Sequence, residues 1–220
     1  MKREKVYRVI IYITGLLTLA LGLTLNTKTN MGVSPIISIP FCVSAITDYS
    51  VGDLTLVCYI LFVLVEIVCH ICTKKYKTLL NDVLQIPLSI AFTRFMNLFS
   101  SLIPDMEGLP VRIVYLFLAV ILTGAGIVLT LSMRLIPNPG DGIVQAISDC
   151  SGKSVGMMKN ILDTVCVFIT VIVSLIFTGR IVGIGFGTII AVIFVGRVVA
   201  VFNHSFREKL IKLAKTDDIL

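Results

Sequence analysis

The sequence predicts an all-α membrane protein of six transmembrane helices in two inverted three-helix repeats, each with a short broken or re-entrant segment. Three observations predict it. First, 56% of the residues are hydrophobic, only 15% are charged and the mean hydropathy is +0.99, more apolar surface than a soluble domain hides from water. Second, six apolar runs are long enough to cross a bilayer. Third, residues 8–99 are echoed by residues 112–202 at an offset close to 104. Gly22 falls on Gly126, Ser44 on Ser148 and Ser50-Val51-Gly52 on Ser154-Val155-Gly156, and Arg94 with Phe99 falls on Arg197 with Phe202 after a one-residue slip. The whole chain, 1–220, is then one transmembrane domain containing internal repeats 6–100 and 111–205. Such repeats are the usual trace of transporters and channels, whose sites lie where the halves meet.

The first run follows Lys2, Arg3, Lys5 and Arg8 and ends near Leu25, with Ala20-Leu21-Gly22 imitating a signal-peptide cleavage site. Its echo at 113–131 cannot be a signal, so the run is read as a retained helix. A helix rising ~1.5 Å per residue needs about 20 apolar residues to cross ~30 Å of hydrocarbon. The six runs that qualify are 6–25, 54–71, 79–99, 111–131, 160–177 and 181–202. Two shorter apolar stretches, 33–46 and 142–150, open in Asn30-Met31-Gly32-Val33-Ser34-Pro35 and Pro137-Asn138-Pro139-Gly140-Asp141-Gly142 and read as half-helices.

Charge chooses between six and eight crossings. With six, the cytoplasm receives residues 2–8, the Lys74-Lys75-Lys77 loop, Arg134, Lys153, Lys159 and the tail with Arg207, Lys209, Lys212 and Lys215. The other face receives Lys28, Asp48, Asp53, Asp105, Glu107, Arg112 and Arg180. That distribution obeys the positive-inside rule, whereas eight crossings would export the Lys74 cluster. Both termini are therefore expected in the cytoplasm. The net charge of +6 follows from these cytoplasmic cations near anionic headgroups and needs no nucleic acid.

Re-entrant backbone at membrane depth leaves peptide groups unpaired unless protein or a wet cavity satisfies them. Half-helix N-termini present free N–H groups and partial positive charge, which suit anionic or zwitterionic groups. Asn30, Gly32, Ser34, Asn138, Gly140 and Asp141 are accordingly the candidate binding residues for a small polar or ionic solute. Ser34 and Asp141 stand at the two N-termini, where each can alternatively serve as an N-cap. Asp141 can also replace an anion or attract a proton or cation.

Ionisable groups within spans are expensive and are functional candidates by default. Glu66 and Asp163 are two such groups. Glu66 lies less than three turns from Lys74, so solvation at the cytoplasmic boundary or a helix-end ion pair is preferred to a proton relay. Asp163 follows Lys159 by four residues on one helical face, which permits an interfacial pair. Arg94 and Arg197 occupy matching positions as gates or substrate guides, with snorkelling into the headgroups as the preferred alternative.

Catalytic and metal chemistry find little foothold. His70 and His204 are single histidines without metal-ligand spacing, and no nucleophile with a matched base is apparent, so no enzyme, metal or cofactor is expected. The six cysteines, Cys42, Cys58, Cys69, Cys72, Cys150 and Cys166, are read as free thiols mostly within apolar runs. The pairs Gly152/Gly156 and Gly183/Gly187 read as small-residue helix contacts.

The wording Asn-Met-Gly-Val-Ser-Pro at 30–35, Asn-Pro-Gly-Asp-Gly at 138–142 and two Ser-Val-Gly elements resemble the bacterial YczE/YitT-type integral membrane proteins over most of residues 6–206. That resemblance implies a multi-pass protein of a bacterial cytoplasmic membrane and transfers no activity or site residue. A transporter or channel is thus the leading expectation. The alternative is an accessory or regulatory membrane protein that partners a larger complex, and either leaves room for self-association.

Overall fold

The computed structural model describes the backbone of residues 2–214 and the side chains of residues 5–206, 210, 213 and 214. Lys215 lies outside the described residues, as do the side chains of Lys2, Arg3, Arg207, Lys209 and Lys212. The described chain is all helix: α1 (Lys2–Lys28), α2 (Pro35–Ile46), α3 (Val51–Cys72), α4 (Leu79–Leu102), α5 (Leu109–Ser132), α6 (Pro139–Ser151), α7 (Val155–Thr178) and α8 (Phe186–Ala214). Local chemistry sets several ends. Ser50 and Ser154 cap α3 and α7 by accepting from Asp53 N and Met157 N, Pro35 and Pro139 open α2 and α6, and Gly152 and Gly179 close α6 and α7 in the left-handed region.

Five helices are long and apolar enough to cross a membrane: α1 from Lys5, α3, α5, α7 and α8 as far as Phe206. The protein is therefore a multi-pass, all-α membrane protein. The expected third span differs. α4 has 24 residues, but Asn81, Asp82, Gln85, Arg94 and Asn97 dilute its apolar character. The last helix also starts later than residue 181, because Gly179 ends α7 at φ +66° and Gly183, at φ +83°, holds the connection outside helical geometry.

The burial pattern is that of a protein solvated by lipid. Along α3 the buried stripe is Gly52, Thr55, Tyr59, Val63, Glu66 and His70, while Leu61, Leu64 and Val68 face outward. On α7, Thr170 and Ser174 are buried while Ile176 is 70% exposed. In lipid no hydrophobic force drives helices together, so small and hydrogen-bonding residues occupy the contacts.

The helices form two bodies. The first contains α1, α5 and α8 together with the segment from Leu98 to Leu109. Within it α1 and α5 are antiparallel: Gly15 meets Leu129 and Thr130, Gly22 meets Thr123, and Gly126 meets Leu19. A Cβ on Gly22 would lie 2.6 Å from Thr123 N, and one on Gly126 would lie 2.6 Å from Leu19 N, so glycine is what lets these backbones touch. Arg8 donates to the Met133 and Arg134 carbonyls at the end of α5, both at 2.7 Å, where a cation complements the helix C-terminus. Lys28 pairs with Asp105 at 3.1 Å at the other end. Gly124 receives Val198 of α8.

These contacts correct the sequence reading of the glycines. Gly152 is a helix cap facing open space, Gly156 has no neighbour near its Cβ position, and Gly183 lies between helices, so neither expected pair forms a helix seam. Gly187 presses instead on the backbone of Met31 and Gly32.

The second body contains α2, α3, α4 as far as Asn97, α6 and α7. α3 and α4 form an antiparallel hairpin pinned by Gly52 against Asn97, by the Tyr59 and Phe92 rings with centroids 6.1 Å apart, and by His70 Nδ1 at 2.7 Å from Asp82 Oδ2. The short α2 runs parallel to the C-terminal half of α7, with Ser38 and Thr170 hydroxyls at 2.7 Å and Cys42 Sγ at 3.0 Å from Ser174 Oγ. The short α6 runs parallel to the C-terminal half of α3, with Gly142 against Glu66 and Cys150 Sγ donating to the Cys69 carbonyl at 3.3 Å. Each short helix thus begins near the middle of the long one beside it.

Candidate functional site

The two half-helix N-termini meet. Gly140, in the first turn of α6, packs on Ile36, in the first turn of α2, and a Cβ added at Gly140 would lie 3.3 Å from Ile36 Cδ1. Their depth follows from their neighbours. The Asn138 side chain bonds Tyr59, eight residues into the 22-residue α3. Ser38 faces Thr170, so Ser34, one turn earlier, lies near the level of Cys166 at the centre of α7, because parallel helices rise together at ~1.5 Å per residue.

The ends are built differently. Asn138, not Asp141, caps α6: its side-chain oxygen accepts from Gly140 N at 3.0 Å, and its carbonyl accepts from the N–H groups of Asp141 and Gly142. Asp141 is the third helical residue, placed by Pro139 and Gly140, and sets a carboxyl inside the first turn. Ser34 is the N-cap residue of α2 in extended geometry without a side-chain cap hydrogen bond. Pro40 inside α2 also removes the N–H that would close on the Ile36 carbonyl.

Ionisable side chains gather around the α6 end. Asp141 lies within charge range of Lys159 and Asp163 of α7, and of Tyr59 and Glu66 of α3. Lys159 and Asp163 are themselves ion-paired one turn apart, the arrangement their spacing permits. Glu66 departs from the sequence reading: it is neither solvated nor paired with Lys74, but is 1% exposed and accepts from Gln85 Nε2 at 2.7 Å. The hairpin turns it inward, away from the Lys74 end. Beyond it, Lys75 meets Asp149 at 2.7 Å. Burial opposes ionisation of Asp149, yet hydrogen bonds from Lys75 and Gln145 more than offset it and hold the carboxyl below its ordinary range.

Other candidates lie apart from this cluster. Asn30 is exposed at φ +52°, and Gly32 at φ +102° is buried against Gly185 and Thr188; both belong to the first body. Arg94 pairs with Asp53 at 2.9 Å near the start of α3, a partner that the snorkelling reading did not anticipate. Arg197 is exposed and lies over the Phe194 ring, 5.4 Å from its centroid. The cysteines are free thiols, with Cys42 and Cys166 buried and Cys72 and Cys150 exposed. Among the described residues no group of three His, Cys, Asp or Glu side chains could hold a metal ion.

Sequence reasoning missed Tyr59, Asp82 and Gln85. The signal was present on α4, where Asp82, Gln85, Ser89, Thr93 and Met96 recur at helical spacing and mark a polar buried face in an otherwise apolar run. The model of a family of unknown function, DUF6198, matches residues 6–204. No curated protein and no solved structure matches the chain.

Proposed function

The chain belongs to that family of unknown function, DUF6198, and we propose from its geometry that it is a transporter or channel for a small polar or ionic solute. In this reading it resides in a bacterial cytoplasmic membrane, with both termini cytoplasmic, and crosses six times as an inverted three-plus-three pair. The kinship with YczE/YitT-type proteins belongs to the same proposal and rests on the short motifs at 30–35 and 138–142.

The observation that carries the reading is the meeting of Ile36 and Gly140, which are 104 residues apart and open the two half-helices at mid-depth. Breaking two helices inside a membrane exposes backbone groups at a cost that a folded protein accepts where they line a cavity or a site. The antiparallel packing of α1 on α5 supports inversion, because a two-fold axis across the helices relates such a pair. The buried polar face of α4, with Val83, Ile90 and Leu98 turned outward, suits a sixth crossing. Binding would use the N–H ends of α2 and α6 for an anionic group and Asp141 for a cationic one, which favours an amphoteric solute.

The test is a thermal-shift screen of detergent-purified protein against amino acids, organic anions, nucleobases and vitamins, since a ligand of the folded state raises its apparent stability. A hit that Asp141→Ala abolishes, followed by uptake into proteoliposomes, is the expected result. A hit insensitive to Asp141→Ala overturns the site. The absence of any hit together with a stably co-purifying membrane complex favours the accessory role.

A further inference from the structure

Two buried side-chain oxygens lack a hydrogen-bond partner among the described residues, and both belong to one bonded pair: Glu66 Oε1 and Gln85 Oε1. Glu66 is 1% exposed and Gln85 fully buried, so water does not reach them from the surface. The α6 backbone closes the third side, since a Cβ on Gly142 would lie 2.6 Å from Glu66 Oε2. An ionised carboxylate here would be a buried charge with a single neutral donor. The ionisable groups in charge range do not balance it: Asp82 of α4, Asp141 of α6 and Cys69 on its own helix are all acids. α2, also packed on α3, offers only Cys42, which is bonded to Ser174. His70 is engaged by Asp82.

A hard metal cation demands about six or more oxygen ligands, and two open acceptors fall well short. A proton fits. It neutralises Glu66 and converts an acceptor-only carboxylate into a donor beside an amide oxygen that lacks one.

We propose that Glu66 is a proton-binding site connected to water through the His70–Asp82 pair. The connection is a sequence of neighbours in the second body. Asp149, at the end of α6, lies within charge range of His70, His70 bonds Asp82 at 2.7 Å, and Asp82 and Asp141 flank Glu66. The path therefore runs from the Lys75–Asp149 surface to the first turn of α6. As a proton site Glu66 stands alone; its service as the coupling proton of transport rests on the reading above.

Infrared difference spectroscopy of the full-length protein in lipid, titrated with alkali, tests the site. The expected result is a protonated-carboxyl carbonyl band at pH 7 that disappears as pH rises, shifts on labelling with ¹³C-glutamate and is missing in Glu66→Gln. The isotope shift needs no substitution, so a variant that folds poorly does not blunt the test. A band absent from wild type at pH 7, a band unmoved by the label, or a thermal midpoint raised by sodium in wild type but not in Glu66→Gln would each overturn the proposal. Proteoliposome uptake separates the two claims. Uptake driven by an imposed pH gradient and lost in Glu66→Gln supports coupling, whereas a confirmed band with uptake indifferent to that gradient removes coupling and keeps the proton site.

Discussion

The seam of α2 on α7 and the seam of α6 on α3 use positions 104 residues apart yet carry opposite chemistry. Ser38 corresponds to Gly142, Thr170 to Glu66, Cys42 to Ala146 and Ser174 to His70. In the first seam every polar group is small and neutral and has a partner: one of the Ser38 and Thr170 hydroxyls donates to the other, leaving a single proton for the backbone carbonyls within reach, Pro35 at 2.6 Å from Ser38 and Cys166 at 2.8 Å from Thr170. In the second seam a carboxyl and an imidazole replace the hydroxyls, and glycine and alanine make room for them. The same pairing of a short helix with a long one therefore forms without any ionisable group, so the α6–α3 seam itself does not require Glu66 or His70. Both side chains reach instead to α4, where His70 bonds Asp82 and Glu66 accepts from Gln85, and ionisable groups inside a span are functional candidates by default.

The sharpest way to break the comparison is to fill the room that glycine leaves. Gly142→Val forces the Glu66 carboxyl aside, and such overpacking costs about 1–3 kcal/mol, read as a lower thermal midpoint in detergent and a shifted carboxyl band. Gln85→Leu is expected to be nearly as costly, about 1–3 kcal/mol, because it strips the donor from a buried acidic group. Denaturant unfolding at pH 5 and pH 8 would show whether the loss is concentrated at the higher pH, where Glu66 is most prone to ionise.

The neutral seam should respond weakly. Ser38→Ala removes one interhelical hydrogen bond of a kind worth about 0.6 kcal/mol in membranes, and its effect should be the same at both pH values. A strongly pH-dependent loss in Ser38→Ala would erase the distinction drawn between the seams. The smallest effect is expected at the half-exposed Lys75, where Lys75→Ala should cost at most about 1 kcal/mol. Asp149 has a depressed folded pKa, so its contribution is present above the ordinary carboxylate pKa of about 4 and is lost as pH falls through the lower folded value. Wild type and Lys75→Ala should therefore converge in thermal midpoint below pH 4 rather than above it.

Much of the architecture was legible because lipid imposes simple rules. Apolar run length marked five of the spans, and Pro35 marked where the first short helix opens. The reading faltered where side-chain direction mattered. Distance from Lys74 along the chain places Glu66 at the membrane boundary, whereas the α3–α4 hairpin aims it at Gln85. Gly152 and Gly156 have the spacing of a packing motif, but one is a left-handed cap and the other faces open space. Spacing along one helix does not reveal which partner helix a face will meet. A short segment over 142–150 places Asp141 at its N-terminus, whereas the helix opens three residues earlier at Pro139, because Pro at the first helical position is itself a start signal.

The claim on which the rest depends is that α2 and α6 open toward each other at mid-depth and exit at opposite membrane faces. Single cysteines at Asp48 and Lys153, in a background with the six native cysteines replaced, mark the exits after α2 and α6. A membrane-impermeant thiol reagent applied to right-side-out and inside-out vesicles reads their sidedness. The account predicts labelling of Asp48→Cys from outside only and of Lys153→Cys from inside only. Labelling of both from the same face would contradict the inverted pair and, with it, the site built on the two facing half-helices.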